Sequence, residues 1–393
     1  MRSLSILILL AFLCSCGSES TPGADLTDAA TPASTDPADA TDAADASDDV
    51  EPSGSSDASV SPDPSTDSTE AADSADPTDA ADPAETSDAS DAADAEEPVD
   101  DGILRFVVLG DAGEGNQNQY DVADAIQELC TAQGGCEFAL YLGDNFYDDG
   151  INEDLCLDDP QFLEKFEYPY ANLDFPFYVV AGNHDYGLVP IRLAGTTCEV
   201  EYHQVSEKWY FPDRYYTVEV DDVALFAVDT NVLMVDQFII GDIDADDQKA
   251  WFNQAVAESN SMWKFAFGHH PYLSNGPHGN AGNYEGLPAS LIPIVNGEKI
   301  QDFVEESVCG KIDIYFSGHD HSRQWFDNTC GTEFVVSGAG SKTSEIEGRD
   351  NNPTLYNDAD LPGFLYVEID SNLMVGRFFD INGDMNFERT VLK

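Results

Sequence analysis

Six times between residues 104 and 321, a short apolar, β-branched or aromatic run stops abruptly and gives way to a polar cluster opened by a small or acidic residue. Residues 104–109 (LRFVVL) lead into Gly110-Asp111, residues 138–142 into Gly143-Asp144-Asn145-Phe146-Tyr147, and residues 177–180 into Ala181-Gly182-Asn183-His184-Asp185. Residues 223–228 lead into Asp229-Thr230-Asn231, residues 263–267 into Gly268-His269-His270-Pro271, and residues 312–316 into Ser317-Gly318-His319-Asp320-His321. Short, continuous apolar runs of this kind are the signature of strands buried on both faces. Helix-patterned stretches lie between several of them, at 120–130 and 246–258. The pattern predicts an α/β domain with its site along one edge of a sheet, where the carboxyl ends of the strands collect polar residues. Residues 334–337, 364–370 and 373–380 read instead as hairpin strands, the last followed by the turn pair Asn382-Gly383. They are expected to form a second sheet packed on the first.

That grammar covers only part of the chain. Residues 17–100 contain no Lys, Arg or aromatic residue, yet hold 25 of the 76 acidic residues among Ala, Ser, Thr and Pro. Such a segment cannot bury enough apolar surface to offset its ordering entropy, so residues 17–101 are predicted to be a disordered, extended linker. Residues 101–393 keep 51 acidic against 15 basic residues, a net charge of −36. Both regions would repel nucleic acid and anionic lipid surfaces, which excludes them as partners.

The first sixteen residues read as an export signal, with Arg2 before an apolar run at 4–13 that is too short to span a bilayer. Leu13-Cys14-Ser15-Cys16 resembles the lipobox of bacterial lipoproteins and makes Cys16 the candidate lipidated residue; ordinary cleavage and secretion is the alternative. A membrane is expected as a partner only through that anchor. Cys130, Cys136, Cys156, Cys198, Cys309 and Cys330 remain, an even number in an exported chain, with no CxxC spacing to suggest a metal site. Pairing nearest neighbours in sequence gives three disulfides.

The strand ends carry the chemistry. Asp111, Asp144, Asn183, His269, His319 and His321 bring hard oxygens and imidazoles to one rim, the first five directly after a glycine and His321 two residues past His319. One Asp after a strand is ordinarily a helix N-cap; a whole set in comparable positions is hard to attribute to capping. Two carboxylates, an amide and three imidazoles are too many for one ion with an open position, and suit two ions sharing a carboxylate.

In order along the chain, GDxG (Gly110 to Gly113), GDNFY (Gly143 to Tyr147), GNHD (Gly182 to Asp185), GHxP (Gly268 to Pro271) and GHDH (Gly318 to His321) resemble the calcineurin-like metallophosphoesterases. Within them the match is to the purple acid phosphatases of the small, tartrate-resistant type, over about residues 103–380. The resemblance implies a four-layer α/β/β/α sandwich across residues 102–393. It also implies that Asp111, Asp144, Tyr147 and His321 hold a ferric ion, with Asp144 bridging to a divalent Fe, Zn or Mn held by Asn183, His269 and His319. Ligand chemistry agrees, since phenolate suits hard Fe(III) while imidazole and amide suit the divalent ions. His184 would bind the substrate phosphate, and His278, nine residues past His269, would protonate the leaving alkoxide. Asp185 is expected to orient a neighbouring imidazole, Asp320 to face away from the metals, His270 to be structural and His203 to lie at the surface.

The implied activity is that of a secreted or surface-tethered acid phosphatase acting on small phosphate monoesters by metal-hydroxide attack in line at phosphorus. A phosphodiesterase or nucleotidase on the same scaffold, or a non-catalytic surface lipoprotein that binds a phosphorylated ligand, are the alternatives. Two departures from the family stand out: Ala112 occupies a position that is usually aromatic, and residues 187–208 and 279–299 form altered loops beside the site.

Overall fold

The computed structural model describes residues 101–187, 193–234, 245–286, 296–346 and 350–393. The expected export segment with Cys16, the linker up to residue 100 and parts of the two altered loops lie outside the described residues.

Among the described residues, fourteen strands form two seven-stranded sheets. The first runs in the order β14-β13-β12-β1-β2-β3-β4, comprising β1 (Leu104–Leu109), β2 (Phe138–Tyr141), β3 (Phe177–Val179), β4 (Trp209–Tyr210), β12 (Gly363–Asp370), β13 (Leu373–Asp380) and β14 (Met385–Leu392). The second runs in the order β11-β9-β10-β8-β7-β6-β5, comprising β5 (Tyr216–Val220), β6 (Val223–Ala227), β7 (Trp263–Phe267), β8 (Ile314–Ser317), β9 (Arg323–Phe326), β10 (Glu333–Ser337) and β11 (Thr354–Asp358). Strands β1 to β4 are mutually parallel, as are β6, β7, β8 and β10, while β12 joins β1 antiparallel.

Side-chain alternation explains the layering. In β7, Trp263, Phe265 and Phe267 enter the core between the sheets while Ala266 faces the helix layer; in β6, Val223, Leu225 and Ala227 oppose Ala224 and Phe226 in the same way. Phe106 of β1 meets Phe138 at 4.7 Å and Phe265 of the other sheet at 6.2 Å between ring centroids. With both faces covered, these strands need apolar residues at every position, hence the unbroken runs in the sequence. Helix α1 (Gln117–Ala132) begins at Asn116, whose side chain accepts the Gln119 amide at 3.0 Å. That cap starts it three residues before the predicted stretch. The other helices are α2 (Leu193–Tyr202), α3 (Thr230–Met234), α4 (Ala245–Glu258) and α5 (Glu298–Phe303), of which α4 and α5 cover the second sheet through Phe252 and Phe303. The disulfides are Cys130–Cys136, Cys156–Cys198 and Cys309–Cys330, the nearest-neighbour pairing.

The strand distribution differs from the expectation in two ways. The strands bearing the motifs are divided, β1 to β3 in one sheet and β6 to β8 in the other, so the polar clusters meet at a seam between two sheets and not along one edge. Of the three C-terminal runs expected to build a second sheet, 334–337 lies there as β10, whereas 364–370 and 373–380, as β12 and β13, extend the first sheet together with β14. Strand β1 is buried at every position but Arg105, and its backbone needs a hydrogen-bonded neighbour on each side; β2 supplies one and β12 the other.

Candidate dinuclear metal centre

Three strand-end residues share an unusual backbone. Asp111, Asp144 and His319, following β1, β2 and β8, have φ of 56°, 54° and 69°. The left-handed region is costly for a residue with a Cβ and is held only where the surroundings over-determine it. Here it turns each chain sharply at the end of its strand. Gly182 and Gly318 complete the arrangement by close approach: a Cβ on Gly182 would lie 2.2 Å from Asp144 Oδ1, and one on Gly318 would lie 2.4 Å from Asp111 Oδ2.

The side chains so placed form two adjoining groups. In the first, Tyr147 Oη lies 3.2 Å from Asp111 Oδ1, 2.9 Å from Asp144 Oδ2 and 3.3 Å from His321 Nε2. In the second, His269 Nε2 lies 2.9 Å from Asn183 Oδ1, 3.1 Å from His319 Nδ1 and 3.4 Å from Asp144 Oδ1. Asp144 faces both. All seven residues proposed from the sequence as ligands are therefore brought together, with Asp111, Asp144 and His269 buried.

Protons alone satisfy this donor set poorly. The single Tyr147 hydrogen faces two carboxylates and an imidazole, and burial together with Asp144 and Asp111 pushes its ionisation well above the usual phenol range. Burial and the neighbouring Asp144 charge also raise Asp111 far above an ordinary carboxyl. Burial opposes ionisation of Asp144, but His269 and His184 outweigh it and hold that carboxyl low. His269, His319 and His321 are biased towards the neutral form by burial. His269 Nδ1 faces the Leu142 carbonyl at 2.9 Å, which places its proton there and leaves the Nε2 lone pair aimed at the Asn183 oxygen. Lone pairs converging on common points, with Asp111 and Tyr147 kept from ionising by burial and by the Asp144 charge, fit cations.

The remaining sequence candidates sort by position. The His184 amide donates to Asp144 Oδ1 at 2.9 Å, and its ring lies 4.4 Å from that of Tyr147, at the rim of the first group. The His278 ring sits 4.0 Å from that of His319, at the rim of the second. Burial disfavours charge on His278, but its hydrogen bond to Glu285 and the fields of Asp320 and Asp144 reverse this and raise its pKa. His270 is near enough to His269 and His319 to be grouped with them as a ligand. Its Nδ1, however, is engaged by Thr230 Oγ1 at 2.7 Å, and the same oxygen accepts the His270 amide at 3.1 Å. Nδ1 is thus committed to Thr230, as expected of a ring that holds the loop. Asp320 points away from the two groups, accepting from Ser274 Oγ and, at 3.0 Å, from the His278 amide. His203 is half-buried against Tyr210, not fully at the surface.

Asp185 differs from its expected role. Among the described residues its carboxylate hydrogen-bonds no imidazole; it accepts the amides of Asn145 at 2.8 Å, Phe146 at 3.0 Å and Gly182 at 2.7 Å, and the Asn145 side chain at 3.0 Å. It clips the loop carrying Asp144 and Tyr147 to the loop carrying Asn183. Sequence reading also passed over Glu285, which grips His278 through its carboxylate at Nδ1 and through its own amide, 3.0 Å from the His278 carbonyl. Ser344, whose hydroxyl meets His321 Nδ1 at 3.0 Å, and Lys342 beside Tyr147 were missed as well. Both follow the Ser-Gly-Ala-Gly segment at 337–340, whose glycines were the available signal. Ala112 is fully buried where a Cβ on Gly340 would lie 2.7 Å from its own Cβ, a gap with no room for an aromatic ring.

Comparison with known proteins agrees with this geometry. The calcineurin-like phosphoesterase family model matches residues 104–323. Tartrate-resistant acid phosphatase type 5 of Sus scrofa is 28% identical over 319 residues, covering 73% of this chain and 86% of the relative. Purple acid phosphatase 3 of Arabidopsis thaliana is 30% identical over 307 residues, covering 72% and 76%. In fold, a purple acid phosphatase from yellow lupin seeds superposes with a TM-score of 0.54 at 15% identity over 74% of this chain and 54% of that one. GAP50, the anchor in the inner membrane complex of Plasmodium, superposes with a TM-score of 0.57 at 21% identity over 74% and 89%. The chain belongs to the calcineurin-like phosphoesterase family and, within it, to the purple acid phosphatases.

Proposed function

We propose that this protein is an exported acid phosphatase that hydrolyses small phosphate monoesters at a dinuclear Fe(III)–M(II) centre, M being Fe, Zn or Mn. The observation that carries the reading is the convergence of the Tyr147 phenol on Asp111, Asp144 and His321, next to a second group that shares Asp144. Asp111, Asp144, Tyr147 and His321 would hold the ferric ion, and Asn183, His269 and His319, with Asp144, the divalent one. When bound, the pair supplies Lewis acidity towards the phosphoryl oxygens and the attacking water.

The chain's own residues do the rest. Asp185 fixes the two ligand loops relative to each other. His184, held through its amide on Asp144, binds a substrate phosphate oxygen. His278, kept in its proton-bearing form by Glu285, gives that proton to the departing alkoxide. The net charge of −36 on residues 101–393 disfavours polyanionic substrates relative to small monoesters, and nucleic acid is not a partner. Residues 1–16 act as the export signal, with Cys16 as a lipid attachment point, and residues 17–101 as the spacer. The three disulfides suit an exported protein.

Metal analysis, a visible spectrum and paired assays on the purified full chain test the proposal. Two metal ions per chain including iron, a Tyr147-dependent visible band and faster turnover of phenyl phosphate than of a bis-ester are expected. Faster hydrolysis of the bis-ester would instead make the protein a diesterase, and absence of stoichiometric metal would refute the dinuclear centre.

A further inference from the structure

In a chain this acidic, a cation placed against a candidate ligand is conspicuous. The Lys342 ammonium lies 3.3 Å from the centroid of the Tyr147 ring, over its face, and pairs with the Glu114 carboxylate. Tyr147 itself is buried, while the side chains of Lys342 and Glu114 are 28% and 27% exposed, so the cation covers the outer face of the ring at the mouth of the site. Its position is set by the backbone. The neighbouring Ser341 donates its hydroxyl to the Asp111 carbonyl at 2.6 Å, and its carbonyl accepts from Asn116 Nδ2 at 3.1 Å and Asn118 Nδ2 at 3.2 Å. The loop after β10 is thus fastened to the loop after β1, with Lys342 and Glu114 meeting across Tyr147.

A cation over an aromatic face is attracted by the ring quadrupole, and far more strongly once the ring carries the negative charge of a phenolate. We infer that Lys342 tunes the iron site through Tyr147: its ammonium stabilises the ligating phenolate, lowers the energy of the phenolate electrons and thereby sets the energy of charge transfer from Tyr147 to iron. Glu114 moderates the effect by partly neutralising that ammonium. The inference rests on the assignment of Tyr147 to iron proposed above. It adds a residue that acts on the iron site through the electrons of a ligand.

Visible spectra of the full chain loaded with Fe(III) and Zn(II) test it, comparing wild type with Lys342→Met, Lys342→Arg, Glu114→Gln and Tyr147→Phe. Removing the charge in Lys342→Met raises the phenolate donor level, and the band moves to longer wavelength, on the order of 20 nm for a charge acting through an effective dielectric of about 20. Lys342→Arg keeps the charge and holds the wild-type band. Glu114→Gln unmasks the ammonium and moves the band to shorter wavelength. If Lys342→Met fails to fold or load iron, the sign of the Glu114→Gln shift decides. A coloured, Tyr147-dependent wild type whose band is unmoved in both Lys342→Met and Glu114→Gln would overturn this inference alone. A band absent from wild type, or surviving in Tyr147→Phe, would overturn the iron assignment and the inference together.

Discussion

The two sheets meet at the site with opposite chemistry. The rim of the first sheet contributes Asp111, Asp144, Tyr147 and Asn183, which are all oxygen donors; the rim of the second contributes His269, His319 and His321, which are all nitrogen donors. On the oxygen rim, burial and mutual repulsion leave the acids ill at ease, with Asp111 and Tyr147 both pushed towards their neutral forms. On the nitrogen rim, burial first and then neighbouring imidazoles, with Lys342 in the case of His321, keep His319 and His321 neutral, with lone pairs available. One rim needs positive charge and the other can accept it. Each proposed ion draws on both rims, so the pair would act as a staple across the seam as well as the reactive centre.

The sharpest way to break that picture is at Asp144, the one group that faces both clusters. Asp144→Asn is expected to lose both metals and to reduce phosphatase activity by roughly 10³-fold or more, the scale of several kcal/mol of lost metal assistance. Metal analysis alongside the assay checks this, and a variant that keeps two ions refutes the shared carboxylate. Removing the metals from the wild type should show the staple directly. Unfolding in a chelator should reveal a loss of about 4 kcal/mol for each ion that had been held at a thousandfold over its dissociation constant. An unchanged melting temperature would mean that the two sheets are held without the ions.

A more selective perturbation falls on the oxygen rim alone. In Asp185→Asn one oxygen replaces two, and an amide NH₂ is turned towards backbone donors that the carboxylate had satisfied. The ligand loops should loosen and metal affinity fall roughly 10- to 100-fold, as for other groups that orient ligands. Competition against a graded series of chelators measures it; wild-type affinity would show that the loops hold their geometry without the clip.

The oxygen rim also shows what the sequence could and could not convey. The strand-end clusters were legible because a short apolar run followed by Gly-Asp or Gly-His is a local pattern, and strand β1 begins and ends where the pattern does. The division of the motif strands between two sheets was not, because pairing β1 with β12 joins Leu104 to Ile369, a contact no local window contains. The positive φ of Asp111 and Asp144 was hidden for a related reason: the close packing around these residues comes from Gly182 and Gly318, which lie far along the chain. The same applies to Asp185, whose four donors come from two separate loops.

The nitrogen rim holds the finest test. Glu285, which grips His278, has φ of 58°, outside the comfortable range for any residue but glycine. Such strain costs about 1 to 3 kcal/mol and persists where the surroundings require it. Glu285→Gly removes the strain, while the freer unfolded chain returns about 0.4 to 1 kcal/mol. The variant should therefore be as stable as wild type or more so. Without the carboxylate, His278 loses the partner that orients it and favours its protonated form. Turnover of an alkyl phosphate, whose leaving group needs a proton, should fall by about tenfold through kcat, a fraction of the usual general-acid contribution. An aryl phosphate with a well-stabilised leaving group should be affected less. Stability that rises or holds while alkyl-phosphate turnover falls distinguishes a positioning residue from a structural one. Equal losses on both substrates would remove His278 from proton transfer to the leaving group, and a drop in stability matching the drop in rate would make Glu285 part of the scaffold only.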